Sequence, residues 1–123
     1  MIKFTINASI PSKKNSKQIV SRGGRYILLP SNKHKDWHDE QMWKLKMLKI
    51  PLQTEPVCIE MTFYAETKAK GDLDNKATSV LDLMKDVGII EDDNWYKVPS
   101  LILKFGGVDK LLPRCEVLMY NVA

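Results

Sequence analysis

The segment Lys70–Asn94, "KGDLDNKATSVLDLMKDVGIIEDDN", decides how the rest of the chain is arranged. Its apolar residues follow the i, i+3, i+4, i+7, i+10 spacing of an amphipathic helix, and they are Ala77, Val80, Leu81, Met84 and Val87. Asp74 is a candidate N-cap, and Gly88 can adopt the left-handed conformation that often ends a helix. The pattern therefore predicts a helix over residues 74–87 with one buried face.

Strand patterns lie on both sides of this helix. Residues 57–66, "VCIEMTFYAE", alternate in the way that a strand covered on one face does. Similar patterns predict further strands at residues 2–10, 17–21, 25–30, 95–105 and 114–122, with Gly23 and Gly24 turning a hairpin between the second and third.

A second helix is predicted over residues 32–48, with Ser31 as its N-cap. Its apolar flank consists of Trp37, Met42, Leu45 and Leu48. The order of these elements predicts an α+β fold, in which two helices pack on one mixed β-sheet of about five strands.

The composition fits a single domain over residues 1–123, because 44% of its 123 residues are hydrophobic. No run of 18 apolar residues and no leader pattern occurs, so we expect no membrane span, no signal peptide and a cytoplasmic location. Cys58 and Cys115 lack metal-ligand spacing, which predicts two free thiols. No small-molecule cofactor is expected.

Positive charge is concentrated in the first part of the chain. Residues 1–50 hold 11 Lys/Arg against 3 Asp/Glu, whereas residues 51–123 hold 8 against 12. Such a basic half suggests a polyanionic partner, because lysines and arginines that neutralise phosphates release counterions. A surface charged for solubility is the alternative. The predicted phosphate contacts in this half are Lys13, Lys14, Lys17, Arg22 and Arg25.

Carboxylates collect at both ends of the central helix. Asp72 and Asp74 precede it, and Asp92 and Asp93 follow it. Simple helix capping at one end and a solvated acidic turn at the other is one interpretation. A calcium-binding loop of the EF-hand type is excluded, because Lys76 stands where that loop needs an oxygen ligand.

A metal site is the other interpretation. A helix of about 14 residues spans about 20 Å, so Asp93 meets Asp72 and Asp74 only if the chain returns after the helix, through Ile89 and Ile90. Two carboxylates about 5 Å apart repel by roughly 3 kcal/mol, and a hard cation such as Mg²⁺ reverses that cost. A carboxylate cluster facing a basic surface is what metal-dependent phosphodiester hydrolysis requires.

The same residues resemble a known family. "DLDN" at residues 72–75 and "LDLMKDVGIIEDD" at residues 81–93 are similar to the motif of the RusA-like Holliday-junction resolvases, of the phage type. "IPSKKNSKQIV" and "LPSNKHKDWHDE", which begin at Ile10 and Leu29, are similar to the early region of phage-type members. The resemblance thus extends over nearly the whole chain.

The resemblance implies a homodimeric endonuclease, dependent on Mg²⁺ or Mn²⁺, that nicks two strands of a four-way DNA junction symmetrically in recombination and repair. It places the catalytic aspartates at Asp72, Asp74 and Asp93, with Asp92 as a neighbour that could share the metal. Asp82 matches a recurrent family aspartate that is not assigned to catalysis. Whether a bacterial host or a phage uses the protein is left open.

One position departs from the family pattern. A functional lysine usually stands four residues after the second motif aspartate, where this chain has Thr78. Lys76 or Lys70 could supply the cation instead, and Lys68 and Lys70 are further candidates for DNA binding. The rival hypotheses are a noncatalytic nucleic-acid-binding relative and a metal nuclease for other branched DNA or for RNA.

Overall fold

The structure of the chain, a computed structural model, describes residues 1–12, 17–30 and 32–122. Its elements, in chain order, are β1 (Ile2–Ile6), β2 (Lys17–Arg22), β3 (Arg25–Pro30), α1 (Asn32–Met47), β4 (Val57–Ala65), α2 (Leu73–Val87), β5 (Ser100–Val108) and β6 (Arg114–Asn121). The predicted N-cap Ser31 lies outside the described residues. Neither helix in these ranges is long and apolar enough to cross a membrane.

Four strands form one mixed sheet in the order β1-β6-β4-β5. β6 pairs antiparallel with β1 and β4, whereas β4 pairs parallel with β5. A parallel pair needs a crossover connection, and α2 provides it between β4 and β5. The predicted α+β class with two helices and a mixed sheet is therefore confirmed, with four strands in the sheet instead of about five.

The two remaining strands, β2 and β3, form a separate antiparallel hairpin. Gly23 and Gly24 occupy its turn with φ angles of 57° and 78°. Positive φ at both central positions is the requirement of a tight hairpin turn, and glycine meets it without steric cost. The predicted hairpin is confirmed.

α2 starts earlier than predicted. Asp72, with φ −105° and ψ 128°, is the N-cap, and its side chain makes no capping hydrogen bond. Asp74, the predicted N-cap, lies instead in the first turn. At the other end Gly88 takes the left-handed conformation, and its N–H donates to the carbonyl oxygens of Met84 and Lys85, as the pattern predicts.

The core lies between α2 and one face of the sheet. Every second residue of β4 is buried there, namely Val57, Ile59, Met61 and Phe63. From α2, the predicted positions Ala77, Val80, Leu81 and Met84 are buried, and Val87 is half-buried. Burial of each such large apolar side chain stabilises the fold by about 1.5–3 kcal/mol.

α1 packs beside α2 with a narrower apolar stripe than predicted. Trp37 and Leu45 are buried and Met42 packs partly against the core. Leu48 follows the end of the helix and is exposed. Gln41 fills the remaining buried position, so the buried stripe of α1 includes a polar residue.

β5 begins later than predicted because its first residues form a turn. The side-chain oxygen of Asn94 accepts hydrogen bonds from the backbone N–H groups of Tyr96 and Lys97, at 3.0 and 3.1 Å. Local bonds of this kind compete with strand pairing. The carbonyl of Lys97 accepts a hydrogen bond from Val57, which fixes the turn at the beginning of β4.

Both thiols are free, as predicted. Cys115 is buried in the core, where desolvation raises its pKa to about 12. Cys58 is half-buried on the sheet face that the helices do not cover. The thiolate of Cys115 is therefore absent at neutral pH, which makes that residue unreactive.

Candidate active site

Asp72 and Asp74 lie together at the amino end of α2, close to the carboxyl end of β4. Both side chains are exposed. Asn75 contacts both of them: its side-chain amide donates to Asp72 Oδ2 at 3.3 Å, and its backbone N–H donates to Asp74 Oδ1 at 2.9 Å. The positive end of the helix dipole stabilises the two charges further. Asn75 therefore holds the two carboxylates in place.

A cavity of about 630 Å³ opens beside Asp72. It lies where the parallel strands β4 and β5 end, which is where ligands bind in open sheets with parallel strands. Its lining includes Asp72, the exposed lysines Lys68 and Lys70, and the apolar residues Phe63 and Phe105. Acidic, basic and aromatic groups thus surround one concave surface.

Lys76 forms part of the cavity wall. Its ammonium nitrogen Nζ donates to the carbonyl oxygen of Ile10 at 2.7 Å, and burial lowers the pKa of the side chain. Its stem lies against Gly71, where an added Cβ would come within 2.9 Å of the Lys76 Cε. The predicted auxiliary cation Lys76 therefore lies near Asp72, but it is bonded to the main chain.

A second bond joins the start of the chain to α2, about one helical turn after Lys76. Ser79, which is fully buried, donates its hydroxyl hydrogen to the carbonyl oxygen of Pro11 at 2.7 Å. The segment 10–11 is therefore attached to α2 by two side-chain bonds. The predicted phosphate contacts Lys13 and Lys14 follow it in the sequence and lie outside the described residues.

Thr78 stands on an exposed part of α2, where the family pattern has a lysine. Its hydroxyl donates to the carbonyl oxygen of Asp74 at 3.0 Å, within its own helix. Lys76 lies two positions earlier and reaches Ile10 instead, so it does not occupy the place of the missing lysine.

Asp93 lies at the other end of α2. Its carboxylate is 3.5 Å from Nζ of Lys85, which is also 3.7 Å from Asp82. Although partial desolvation acts in the opposite direction, the attraction of Asp93 and Asp82 raises the pKa of Lys85. Asp92 accepts a hydrogen bond from the backbone N–H of Asp93 at 2.7 Å, which lowers the pKa of Asp92.

The two acidic pairs are consequently separated within one protomer. α2, with 15 residues, is about 22 Å long, and the turn that follows Asp93 lies at the beginning of β4. Asp72 lies near the end of the same strand. Within one protomer Asp93 therefore lies away from Asp72 and Asp74, because the chain returns through Ile89 and Ile90 into the start of β5. The assignment of all three aspartates to one metal site stays a prediction.

No group of three potential metal-ligating side chains forms within residues 1–12, 17–30 and 32–122. Asp72 and Asp74 nevertheless offer adjacent carboxylate oxygens, a donor type that Mg²⁺ and Mn²⁺ prefer. Asp93 would have to come from elsewhere to complete a three-carboxylate site.

The structure describes only some of the side chains that were predicted to contact phosphates. The side chains of Lys17 and Arg22 lie outside it, and their backbones belong to β2. Arg25 is exposed next to the hairpin turn. Lys68 and Lys70 are exposed at the cavity, and across the described residues neither takes part in an ion pair.

Sequence reasoning missed Asn75, Lys85 and Phe105. Asn75 could have been found, because an amide next to two aspartates is well placed to hydrogen-bond them. No sequence pattern indicated Lys85 or Phe105, because their places near the site depend on how α2 and β5 are positioned in the folded chain. The structure adds all three to the residues around the two carboxylate pairs.

Comparison with known proteins agrees with the motif. The family model described as endodeoxyribonuclease RusA matches residues 9–119. A curated relative, the crossover junction endodeoxyribonuclease RusA of Aquifex aeolicus (strain VF5), is 25% identical over 88 residues, which cover 71% of this chain and 68% of the relative. Because the family match spans most of the chain, the protein belongs to the RusA endodeoxyribonuclease family.

Proposed function

We propose that the protein is a Mg²⁺- or Mn²⁺-dependent endonuclease that resolves four-way DNA junctions by paired symmetric nicks during recombination and repair. The observation that carries this proposal is the pair Asp72 and Asp74, held by Asn75 beside a cavity with two exposed lysines. The family match and the name of the Aquifex relative support it. The proposed place of action is the cytoplasm of a bacterial or phage-infected cell.

Asp72 and Asp74 would hold the metal ion. Each keeps one carboxylate oxygen outside the hydrogen bonds to Asn75, so the pair retains acceptors for a cation. When bound, such an ion supplies the Lewis acidity and water activation that phosphodiester hydrolysis requires. The lysines of the cavity would orient the scissile phosphate, and Asn75 fixes the direction of both carboxylates.

Asp93 would come from a second copy of the chain. Two symmetric nicks require two active sites related by a two-fold axis, which a homodimer provides. In such a dimer the Asp93 end of one protomer can face the Asp72 end of its partner, and the reverse. Each active site would then contain two carboxylates from one protomer and one from the other, with Asp92 next to the metal.

The basic residues would bind the phosphates of the junction arms. We assign this role to Lys13, Lys14, Lys17, Arg22, Arg25, Lys68 and Lys70. Contacts to phosphates position DNA without reading its sequence, so the shape of the junction selects the substrate. The neighbouring Lys76 and Lys70 are the candidates for an auxiliary cation near the reaction.

Incubation of the full chain with a synthetic four-way junction and Mg²⁺ tests the proposal. We expect paired nicks in opposite strands, no nicks with EDTA, and no cutting of a duplex of the same sequence. The variant Asp74→Asn should stop cutting and keep binding, because it removes a metal ligand and repulsion from phosphate. Cutting by this variant at the wild-type rate would contradict the role of Asp74.

Thr78 favours one rival, a family relative that binds nucleic acid without cutting it. The hydroxyl of Thr78 is bonded to its own helix and supplies no positive charge. In the same assay this rival predicts tight junction binding with intact strands at every Mg²⁺ or Mn²⁺ concentration. Cutting of flaps or RNA, with the junction left intact, would instead indicate a metal nuclease of another specificity.

A further inference from the structure

The cavity beside Asp72 has more apolar and aromatic lining than phosphate binding requires. Its volume of about 630 Å³ falls within the range of about 300–1,000 Å³ that is typical of pockets for single small molecules. Ile10 and Phe63 are buried residues of its lining, and Phe105 and Val108 from β5 complete this side. A phosphate group alone gains nothing from these side chains.

Phe105 is 60% exposed although it belongs to a strand of the main sheet. It sits where the register of β4 and β5 shifts: Phe63 pairs with Phe105, but the next residue, Tyr64, pairs with Gly107. The extra residue between them is a β-bulge, and bulges next to functional sites redirect side chains. The result is an aromatic ring at the wall of the cavity, open to solvent.

The charged groups of the cavity differ in their availability. Arg114 lies 3.8 Å from the centre of the Tyr64 ring and is bonded to Asp109 and Glu116, so its charge is neutralised. Lys68 and Lys70 have no such partners in the part of the chain that the structure describes. Glu66 and Asp72 are also in the lining, and the two lysines together with Lys76 leave one net positive charge there.

An exposed aromatic ring, an apolar wall and two unpaired cations together match one nucleotide, with its base against the ring and its phosphate at the lysines. In an intact duplex each base is stacked between its neighbours and cannot enter a concave site. At the branch point of a four-way junction the stack is interrupted, so a base there costs less to unpair. The cavity therefore suits a nucleotide at the branch point.

We propose that the cavity at the ends of β4 and β5 takes one unpaired nucleobase from the branch point, stacked on Phe105, while Asp72 and Asp74 face the adjoining phosphate. This role of the cavity rests on the proposed function of the Asp72–Asp74 site. It would give the protein its preference for junctions over duplex DNA, since only the branched substrate supplies such a base.

Binding measurements test the stacking without relying on cleavage. Dissociation constants for a four-way junction and for a duplex of the same sequence are measured in Ca²⁺, with the full chain and with Phe105→Ala. Loss of one stacked base corresponds to about five- to 150-fold weaker binding. We expect this loss for the junction and none for the duplex. Equal effects on both substrates, or no effect on either, would overturn the proposal.

Further variants separate stacking from apolar contact and from fold defects. Phe105→Tyr keeps the ring and should bind the junction as the wild type does, whereas Phe105→Leu keeps apolar bulk and should show most of the loss. Trp43→Ala is the matched control, because Trp43 is a 74% exposed aromatic residue on α1. A junction-specific loss in Trp43→Ala equal to that in Phe105→Ala would also count against the cavity.

A fluorescent base analogue reports the position of the base directly. A junction carrying 2-aminopurine next to the branch point should become brighter when the wild type binds, because the analogue leaves the DNA stack, and should stay dim with saturating Phe105→Ala. An equal change with both proteins, or none at any branch-point position, would refute base capture. The Mg²⁺ cleavage assay is independent: a protein that binds through Phe105 but never cuts would refute only the proposed nuclease function.

Discussion

Nζ of Lys76 lies 2.7 Å from the carbonyl oxygen of Ile10, a residue 66 positions earlier in the chain. The bond fastens the segment that precedes the basic residues 13–17 to the first turns of α2, where Asp72 and Asp74 lie. Ser79 makes a second such bond, to Pro11. The lysine that the motif suggested as a reaction partner thus links a predicted DNA-binding segment to the acidic site.

The partial burial of Lys76 predicts how the free energy of unfolding depends on pH. Burial lowers the pKa of Lys76 below its usual value of 10.5, so the folded protein releases this proton before the unfolded chain does. Between the lowered pKa and 10.5 the unfolded state binds more protons, and the free energy of unfolding therefore rises with pH. Urea titrations should show this rise in the wild type and not in Lys76→Met. Lys70→Met, an exposed control, should keep it.

The proposed division of the carboxylates between two protomers predicts complementation. Asp74→Asn and Asp93→Asn should each be inactive alone, but a mixture allowed to exchange subunits should cut. A mixed dimer has one site with all three carboxylates and one site lacking two, so random exchange restores about a quarter of the wild-type sites. The products should be single nicks. A mixture that stays inactive although mixed dimers form would contradict the shared site.

The two exposed lysines of the cavity, Lys68 and Lys70, predict a change in the salt dependence of binding. Each phosphate contact contributes about 0.9 to the slope of log K against log salt concentration for duplex DNA. Lys68→Gln combined with Lys70→Gln should therefore reduce the magnitude of this slope by about two. The control combines Lys3→Gln with Lys104→Gln, which removes the same charge elsewhere on the sheet. A similar reduction in the control would show that general charge, and not the cavity, binds the phosphates.

Thr78 offers a test of the missing family lysine. The side chain is exposed and its hydroxyl is bonded to its own helix, so Thr78→Lys should leave the fold intact. If the position contributes to the reaction, the added cation should raise the rate of junction cutting by about tenfold or more, as one well-placed proton-transferring group does. Thr78→Gln is the uncharged control of similar length. Equal rates for the two variants would exclude a role for charge there.

The sequence was sufficient to predict α2 and its buried face, because the apolar spacing of Ala77, Val80, Leu81 and Met84 has a single structural reading. The exact N-cap was not predictable in the same way. Asp72 and Asp74 are equally good capping residues, and the choice between them depends on how the preceding loop approaches the helix. The local sequence pattern was therefore enough to predict the helix, but not the residue at which it begins.

Other features depend on contacts between distant parts of the chain. The residues Trp95 and Tyr96 look like the start of a strand, but the hydrogen bonds of Asn94 make them a turn. The hydrogen bond between His38 Nε2 and Asp86 Oδ2, at 2.7 Å, connects α1 to α2 across 48 residues, and no periodic pattern in the sequence indicates it. For the same reason the sequence showed that Asp93 needs a return path, but not that the path ends away from Asp72.

The placement of Asp72 and Asp93 at opposite ends of β4 has a consequence for the concentration at which the protein becomes active. A lone protomer would carry only part of the proposed metal site, so newly synthesised copies could not cut a junction before they dimerise. At low abundance the number of competent nucleases would rise with the square of the amount of protein. The rate of junction cutting would then depend on the expression level of the protein, and no separate inhibitor would be needed to keep it low.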